Sequence, residues 1–251
     1  MLDKKSGIWY GYKSSACFIY IVFINIFRSF MIRTKKKSIK QNQIQTPVES
    51  LIFSSSKNAH LIEKKHQQIV DGACQIFFEK GYHPTTIRDI ARACGMSMGQ
   101  LYHYISCKDD VLYLVHKHSQ NIWHEYLKNS DYEEAKDPRK KFSRALDQTL
   151  KFMFENRKLI QFMYSESKYL AKRHLQAALE MDKRNVIGFW HKMLKEVNRK
   201  KSIKGDLNFL PSLVAYLLVF LPLRGWTLRG MSLKQEKACI IDFILRGLGV
   251  V

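Results

Sequence analysis

From Leu61 onward, apolar residues return at every third or fourth position. Ile62, Ile69, Val70, Ala73, Ile76 and Phe77 fall on one helical face, and the stretch closes at Gly81, which suits the left-handed position past a helix end. Thr86 then stands three residues ahead of Asp89, a capping-box spacing, and opens a helix of two to three turns that stops at Gly95. Ser97 stands three residues ahead of Gln100 and opens another. Ser106 with Asp109 opens a longer helix through Val111, Leu112, Val115, Ile122 and Trp123. Two short helices separated by a glycine and a cap must cross sharply, which predicts a helix-turn-helix, with Ala91 small at the crossing and Leu101 returned to the shared core.

Beyond Asn129 the rhythm stays helical, with few strand signals. Phe142, Ala145, Leu146, Leu150 and Phe152 to Phe154 share one helix, and "LIQFMYSESKYL" follows. A long amphipathic helix is expected from His174 to about Lys200, carrying Leu175, Leu179, Val186, Phe189, Trp190, Met193 and Leu194. After a loop, Leu210 to Gly230 and the segment from Ser232 are the most apolar helical stretches. The run "LVAYLLVFLPL" is broken by Pro222 and falls well short of the about 20 residues that cross a bilayer, so a buried helix or subunit interface is expected. The fold class expected is all-α.

The first sixty residues follow another pattern. "ACFIYIVFINIF" is an apolar run of roughly a dozen residues, too short for a span, and "MIRTKKKSIKQ" follows it where a secretory cleavage site would need small residues. Export is not expected. A basic anchor held at a membrane and a start at Met31, with the preceding residues never made or never folded, remain alternatives. The expected organisation is an extension over 1–57, a helix-turn-helix domain over 58–107 and a helical domain over 108–251.

Composition sharpens the choice of partner. With 42 Lys and Arg against 22 Asp and Glu, the net charge of +20 points to a polyanion, nucleic acid first. Five cysteines without a C-x-x-C pair suggest neither a disulfide framework nor a zinc site, and a reducing cytoplasm fits best. The histidines around His116 and His118 lack the H-E-x-x-H spacing. No nucleophile-base pair, paired carboxylates or phosphate-cradling glycine loop is evident, so no enzyme, metal or cofactor is expected.

A generic helical hairpin would also use short capped helices. The surface of the second helix argues otherwise, because solvated faces are usually rich in Glu and Lys, whereas this one carries Met98, Gly99, Gln100, Tyr102 and His103. Gly99 permits close backbone approach, Gln100 can bond base edges, and Tyr102 and His103 can donate to phosphate oxygens. Thr86 and Lys108, at helix N-termini, suit flanking phosphates.

These residues resemble the DNA-binding domain of TetR-type transcriptional regulators. The stretch from Ile69 to Leu112 carries the family's A-x-x-x-F-x-x-x-G-[YF], T-x-x-x-I-A, G-[VM]-S-x-G-x-[LIF]-Y and K-[DE]-[DE]-L patterns at Ala73, Phe77, Gly81, Tyr82, Thr86, Ile90, Ala91, Gly95, Ser97, Gly99, Leu101, Tyr102, Tyr104 and Lys108. The resemblance implies that Met98 to Tyr104 is a recognition helix in the major groove, with Gly99, Gln100 and His103 nearest the bases and Thr86, Tyr102 and Lys108 on phosphates. Ser97 completes the set. Met98, where the family often has Lys or a small polar residue, and Ile105, where it has Phe, are departures.

The resemblance further implies a homodimer on a palindromic double-stranded DNA operator, paired through the last two helices. Leu217, Leu218, Phe220, Leu221, Ile241, Phe243 and Ile244 are expected there or in the adjoining core. Phe154, Phe162, Met163, Tyr164, Phe189, Trp190 and Met193 are candidates for an effector cavity, although aromatics and methionines at helical spacing also make plain core. A weaker resemblance to members that sense fatty acyl-CoA or other CoA thioesters makes Arg173, Arg184, Arg224 and Arg229 candidate phosphate partners. The rival readings are a nonspecific basic nucleic-acid-binding protein and a membrane-tethered regulator.

Overall fold

The computed structural model describes residues 58–250 apart from 201, 202, 204 and 229, together with residues 52 and 54. The expectations placed on 1–57, including the apolar run and the start at Met31, therefore lie outside the described residues, residues 52 and 54 apart. Arg229 does so too.

Among the described residues every regular element is helical, as the periodicity requires. Helix α1, Ala59–Lys80, starts where Asn58 accepts from Leu61 N–H at 3.1 Å and stops at Gly81, whose φ of 82° and N–H to Phe77 O end the helix. Helices α2, Ile87–Ala93, and α3, Met98–Tyr102, form a tight pair against α1. Helix α4, Lys108–Lys128, leaves this head and runs on into the body.

The body consists of α5, Pro138–Glu155, α6, Arg157–Glu166, α7, Lys172–Asp182, α8, Gly188–Val197, α9, Leu210–Leu218, α10, Phe220–Arg224, and α11, Leu233–Leu248. The long helix expected from His174 to about Lys200 is interrupted: a π turn at Lys183–Ile187 separates α7 from α8. Pro222 breaks the apolar run as expected. Without an N–H it cannot bond the carbonyl a turn earlier, and the chain bends by 46° between α9 and the segment from Phe220 to Thr227. No single described helix is long and apolar enough to cross a membrane.

Two apolar clusters hold the chain, and α4 takes part in both. The first joins Ile69, Ala73 and Phe77 of α1, Ile90 of α2, Leu101 of α3 and Val111 to Val115 of α4 with Leu159 and Phe162 of α6 and Ala178 and Met181 of α7. The second gathers Trp123 and Leu127 of α4 with α5, α8, α9 and α11 around Phe142 and Trp190, both fully buried. The head thus shares its core with the body: Phe77 stacks on Phe162 at 5.1 Å and Tyr82 on Tyr169 at 5.8 Å.

Candidate nucleic-acid interface

The two short helices are built by the caps that their spacing foretells. Thr86 Oγ1 accepts from Asp89 N–H at 3.1 Å, and Asp89 Oδ2 accepts from the Thr86 N–H and hydroxyl at 3.0 and 2.8 Å. Those hydrogen bonds hold the Asp89 carboxyl below the usual carboxylate range. Ser97 Oγ accepts from Gln100 N–H at 3.1 Å while Gln100 Oε1 accepts from Ser97 N–H at 2.9 Å. Gly95, at φ 63°, supplies the left-handed residue between the helices, and Met96 N–H closes the turn on Ala91 O.

The closest approach in this head is between α1 and the end of α2. A Cβ on Gly72 would lie 2.8 Å from Cys94 Sγ and 2.9 Å from Ala93 backbone atoms, so only glycine fits. Ala91 is buried as expected; the separate contact of α1 with α2 is fixed by Gly72, which pattern reading missed, an isolated glycine inside a helical stretch being the available signal. Gln68 adds a bond from its Nε2 to Cys94 O at 2.7 Å.

Helix α3 turns its far side outward. Gly99, Gln100, Tyr102 and His103 are exposed, Met98 and Tyr104 are half-buried against the core, and Leu101 and Ile105 are fully buried, so Ile serves where the family pattern has Phe. Gly99 differs from Gly72 in kind. A Cβ there would meet only Ser97 Oγ, at 4.0 Å, so nothing inside the chain demands glycine. Arg88 and Arg92, exposed one turn apart on α2, are two cations of the head that the pattern reading overlooked.

Three of the candidate contacts are already engaged within the chain. Lys108 Nζ donates to Tyr82 O at 2.9 Å, His83 O at 3.2 Å and Thr85 O at 3.0 Å, and sits 4.2 Å from the centroid of the Tyr82 ring. An ammonium has three protons, so Lys108 as placed here locks the α1–α2 loop and has none left for a phosphate. The Thr86 hydroxyl donates to Asp89, and Gln100 has its amide oxygen in the cap, leaving Nε2 to face outward. The start of α4 also differs from expectation. Its N-cap is Cys107, and Asp110, not Asp109, accepts from Ser106 and Cys107 N–H at 2.7 and 3.3 Å. Asp109 instead accepts from Ala171 N–H at 2.9 Å and faces His174 Nδ1 at 2.8 Å.

The candidate effector residues do not form one group. Phe162 and Met163 pack in the first cluster; Trp190 and Met193 are buried in the second, with Phe189 against them; Phe154 is on the surface. Tyr164 exposes 38% of its area, yet burial drives its phenol upward, with Asp182 of α7 and Tyr216 of α9 adding to the effect. Asp182 itself is pushed up to about 6 by burial. Arg173, Arg184 and Arg224 are exposed.

Of the residues expected at a dimer surface or in the adjoining core, Leu218, Leu221 and Ile244 are buried in the second cluster. Leu217 and Ile241 are partly buried against it. Phe220 and Phe243 are exposed, the latter by 65%, as are Leu213, Tyr216 and Trp226.

Comparison with known proteins agrees with the helix-turn-helix and the all-helical fold. Residues 69–113 match the family model described as bacterial regulatory proteins, tetR family. The HTH-type transcriptional regulator HbdR of Aromatoleum sp. (strain CIB) is 44% identical over 57 residues, 23% of this chain and 25% of that protein, so the match spans about a quarter of the relative's length. The transcriptional regulator FadR of Bacillus subtilis, solved with stearoyl-CoA, superposes with a TM-score of 0.61 at 18% identity over 72% of this chain and 98% of that one. AibR, solved with isovaleryl coenzyme A and operator DNA, gives 0.59 at 15% identity over 71% and 97%. Likeness at such identities establishes the fold.

Proposed function

We propose, on the premise of the match of residues 69–113 to the tetR family model, that the protein is a TetR-type regulator: a homodimeric, sequence-specific DNA-binding repressor whose grip on a palindromic operator is released by a small hydrophobic or acyl-CoA-like effector. It acts in the cytoplasm, on double-stranded DNA. The observation that carries this reading is α3: five residues mounted by a capping box, with Gly99, Gln100, Tyr102 and His103 outward and the exposed Arg88 and Arg92 on the helix before it. In a helix-turn-helix the second helix enters the major groove while the first crosses the backbone. Gln100 Nε2 reaches for a base edge, Tyr102 and the two arginines for phosphates, and Gly99 lets the helix approach closely. Thr86 and Ser97 serve the interface by capping α2 and α3, and Lys108 by locking the α1–α2 loop.

A dimer follows from operator symmetry, and the exposed surface of Leu213, Tyr216, Phe220, Trp226 and Phe243 suits it. The effector class is supported by the acyl-CoA complexes of the two structural relatives. A nonspecific basic protein would have the charge without needing two capping boxes and a glycine-tight crossing.

The test is a random-duplex selection with the full chain, repeated with Gln100→Ala and Tyr102→Ala. The expected result is a palindromic site whose sequence preference Gln100→Ala relaxes and whose affinity Tyr102→Ala lowers uniformly. Absence of an enriched site overturns sequence-specific regulation and leaves charge-driven binding.

A further inference from the structure

Helices α4 and α7 lie side by side and point the same way. His174 meets Asp109 across a sequence separation of 65, and Asn185 Nδ2 donates to Gln120 Oε1 at 3.0 Å across the same separation of 65. With a rise of about 1.5 Å per residue, these two ties stand roughly 16 Å apart along the helices. The first is the stronger: His174 Nε2 also lies 2.9 Å from Asp110 Oδ1, off the axis of the ring N–H, with His174 and Asp110 both almost wholly buried.

Asp109, Tyr113, His116 and Gln120 form one stripe along α4, at the helical spacing of four, three and four residues. The ends of the stripe are partnered and the middle is not. Tyr113 Oη and His116 Nε2 are buried and have no hydrogen-bond partner among the described residues; the two side chains retain 1% and 8% exposure. The offset of 65 sets Ala178 opposite Tyr113 and Met181 opposite His116, a methyl and a thioether that cannot answer a hydroxyl or an imidazole well. A buried polar atom without a partner costs free energy, and two on one face of the helix that carries the DNA-binding head require an explanation. The π turn at Lys183–Ile187 lies at the Asn185 tie itself, a kind of irregularity frequent at functional sites.

We propose that Tyr113 Oη and His116 Nε2 are the polar subsite for the effector, and that they take a neutral hydrogen-bonding group, a hydroxyl or a carbonyl including that of a thioester, carried on an apolar body. The assignment rests on the ligand-responsive reading above. The apolar body packs among Leu159, Phe162, Ala178 and Met181 of the same cluster. Neutrality follows from the surroundings. Burial brings the His116 imidazole down to about 4, so it is uncharged at neutral pH, and raises the Tyr113 phenol. The groups nearby are the carboxylates of Asp109 and Asp110, already facing His174, and Arg184, which draws on Tyr113 from an exposed position. A carboxylate placed here would be desolvated beside two neutral partners, one helical turn from Asp109.

Three probes with the same alkyl body and different ends test this on the full chain: decanol, methyl decanoate and decanoate. Dissociation constants by calorimetry should favour the neutral probes over decanoate by about 10-fold or more, and Tyr113→Phe and His116→Phe should each weaken the neutral probes by about 5- to 10-fold, the loss of one hydrogen bond. Tyr113→Phe removes an unpartnered hydroxyl, so without a probe it should unfold at the wild-type temperature or above, which keeps the result apart from misfolding. Equal binding of decanoate and decanol, or neutral probes that bind both variants like wild type, overturns the subsite. So does failure of all three to bind. The duplex selection separates this from the parent reading, since it succeeds or fails with wild-type protein and no probe present.

Discussion

Replacing His174 with glutamine removes the tie between α7 and the first turn of α4 while keeping a side chain of similar length. The imidazole loses an aligned contact to Asp109 at 2.8 Å and a close but off-axis one to Asp110 at 2.9 Å. A hydrogen bond to a charged group contributes about 1.5–3 kcal/mol, and the misaligned contact about 1 kcal/mol. Asp109 keeps Ala171 N–H, and Asp110 keeps Ser106 and Cys107 N–H, so neither carboxylate is stranded. A glutamine amide can restore one neutral bond of about 1 kcal/mol. The net loss is then about 1.5–3 kcal/mol. With a urea slope of about 2 kcal/mol per molar, the midpoint should fall by about 0.8–1.5 M. Asp109→Asn should lose less in the His174→Gln background than in wild type, with a coupling of about 1–2 kcal/mol. Amide exchange between Ser106 and His116 should quicken more than exchange near Leu127, because the first turn of α4 is where the tie acts. A midpoint shift below about 0.3 M, or additive single losses, would refute the assignment of His174 as the tie.

Other consequences divide stability from binding. Gly72→Ala should cost about 1–3 kcal/mol, since its Cβ meets backbone at 2.9 Å; Gly99→Ala should be neutral or gain up to about 1 kcal/mol in thermal unfolding yet weaken the selected duplex in a gel shift. Lys108→Met should lower stability by about 2 kcal/mol through its three lost carbonyl partners and leave the salt slope of DNA binding unchanged, whereas Arg88→Ala and Arg92→Ala should each reduce that slope by about 1. Acid titration pits two buried groups against each other. Asp182, raised to about 6 from 3.8, makes the folded state gain stability as pH falls from about 6 toward 4; His116, lowered to about 4 from 6.5, makes it lose stability as pH falls from about 6.5 to 4. Each effect is up to about 3 kcal/mol, so they largely cancel. In urea titrations between pH 7 and 4, Asp182→Asn should expose a steep acid loss and His116→Phe an acid gain, and unchanged profiles in both would refute the assignment.

What the sequence disclosed was what depends on neighbours three or four residues apart. Thr86 with Asp89 and Ser97 with Gln100 are complete within a single turn, so their spacing sufficed to place both short helices and the turn. Pro222 was legible for the same reason, because a missing N–H in the middle of a helical run removes the bond to the carbonyl one turn earlier. The cap on α4 was misread by one residue, since Asp109 is claimed by His174 and Ala171, both more than sixty positions away. Lys108 was misjudged likewise: a lysine at a helix start looks free until the carbonyls of the Tyr82–Thr85 loop fold back over it. The apolar candidates fared worst. Helical spacing tells that Phe162 and Trp190 turn inward, but not that they turn into different clusters, and it cannot separate Leu218, facing the core, from Phe220, facing out.

The position of α4 explains why a guest near Tyr113 would be felt at the DNA. A helix packed into one cluster could tilt and leave the head behind; α4 is held in both, with Leu112 and Val115 in the cluster shared with α1 to α3 and Trp123 and Leu127 in the cluster of the body. Protein interiors are close-packed, so a group of even one or two heavy atoms entered between α4 and α7 must move one helix against the other. The Gln120–Asn185 tie lies in the π turn that follows α7, where an extra residue already loosens the helix, whereas the His174 end is fixed by three contacts to Asp109 and Asp110. Displacement at the middle would then pivot about the firm end, which is also the first turn of α4 and the floor beneath Lys108 and the α1–α2 loop. A shift of about 1 Å there is on the scale of the helix movements that switch packed proteins, and in a dimer it would be applied to both recognition helices at once.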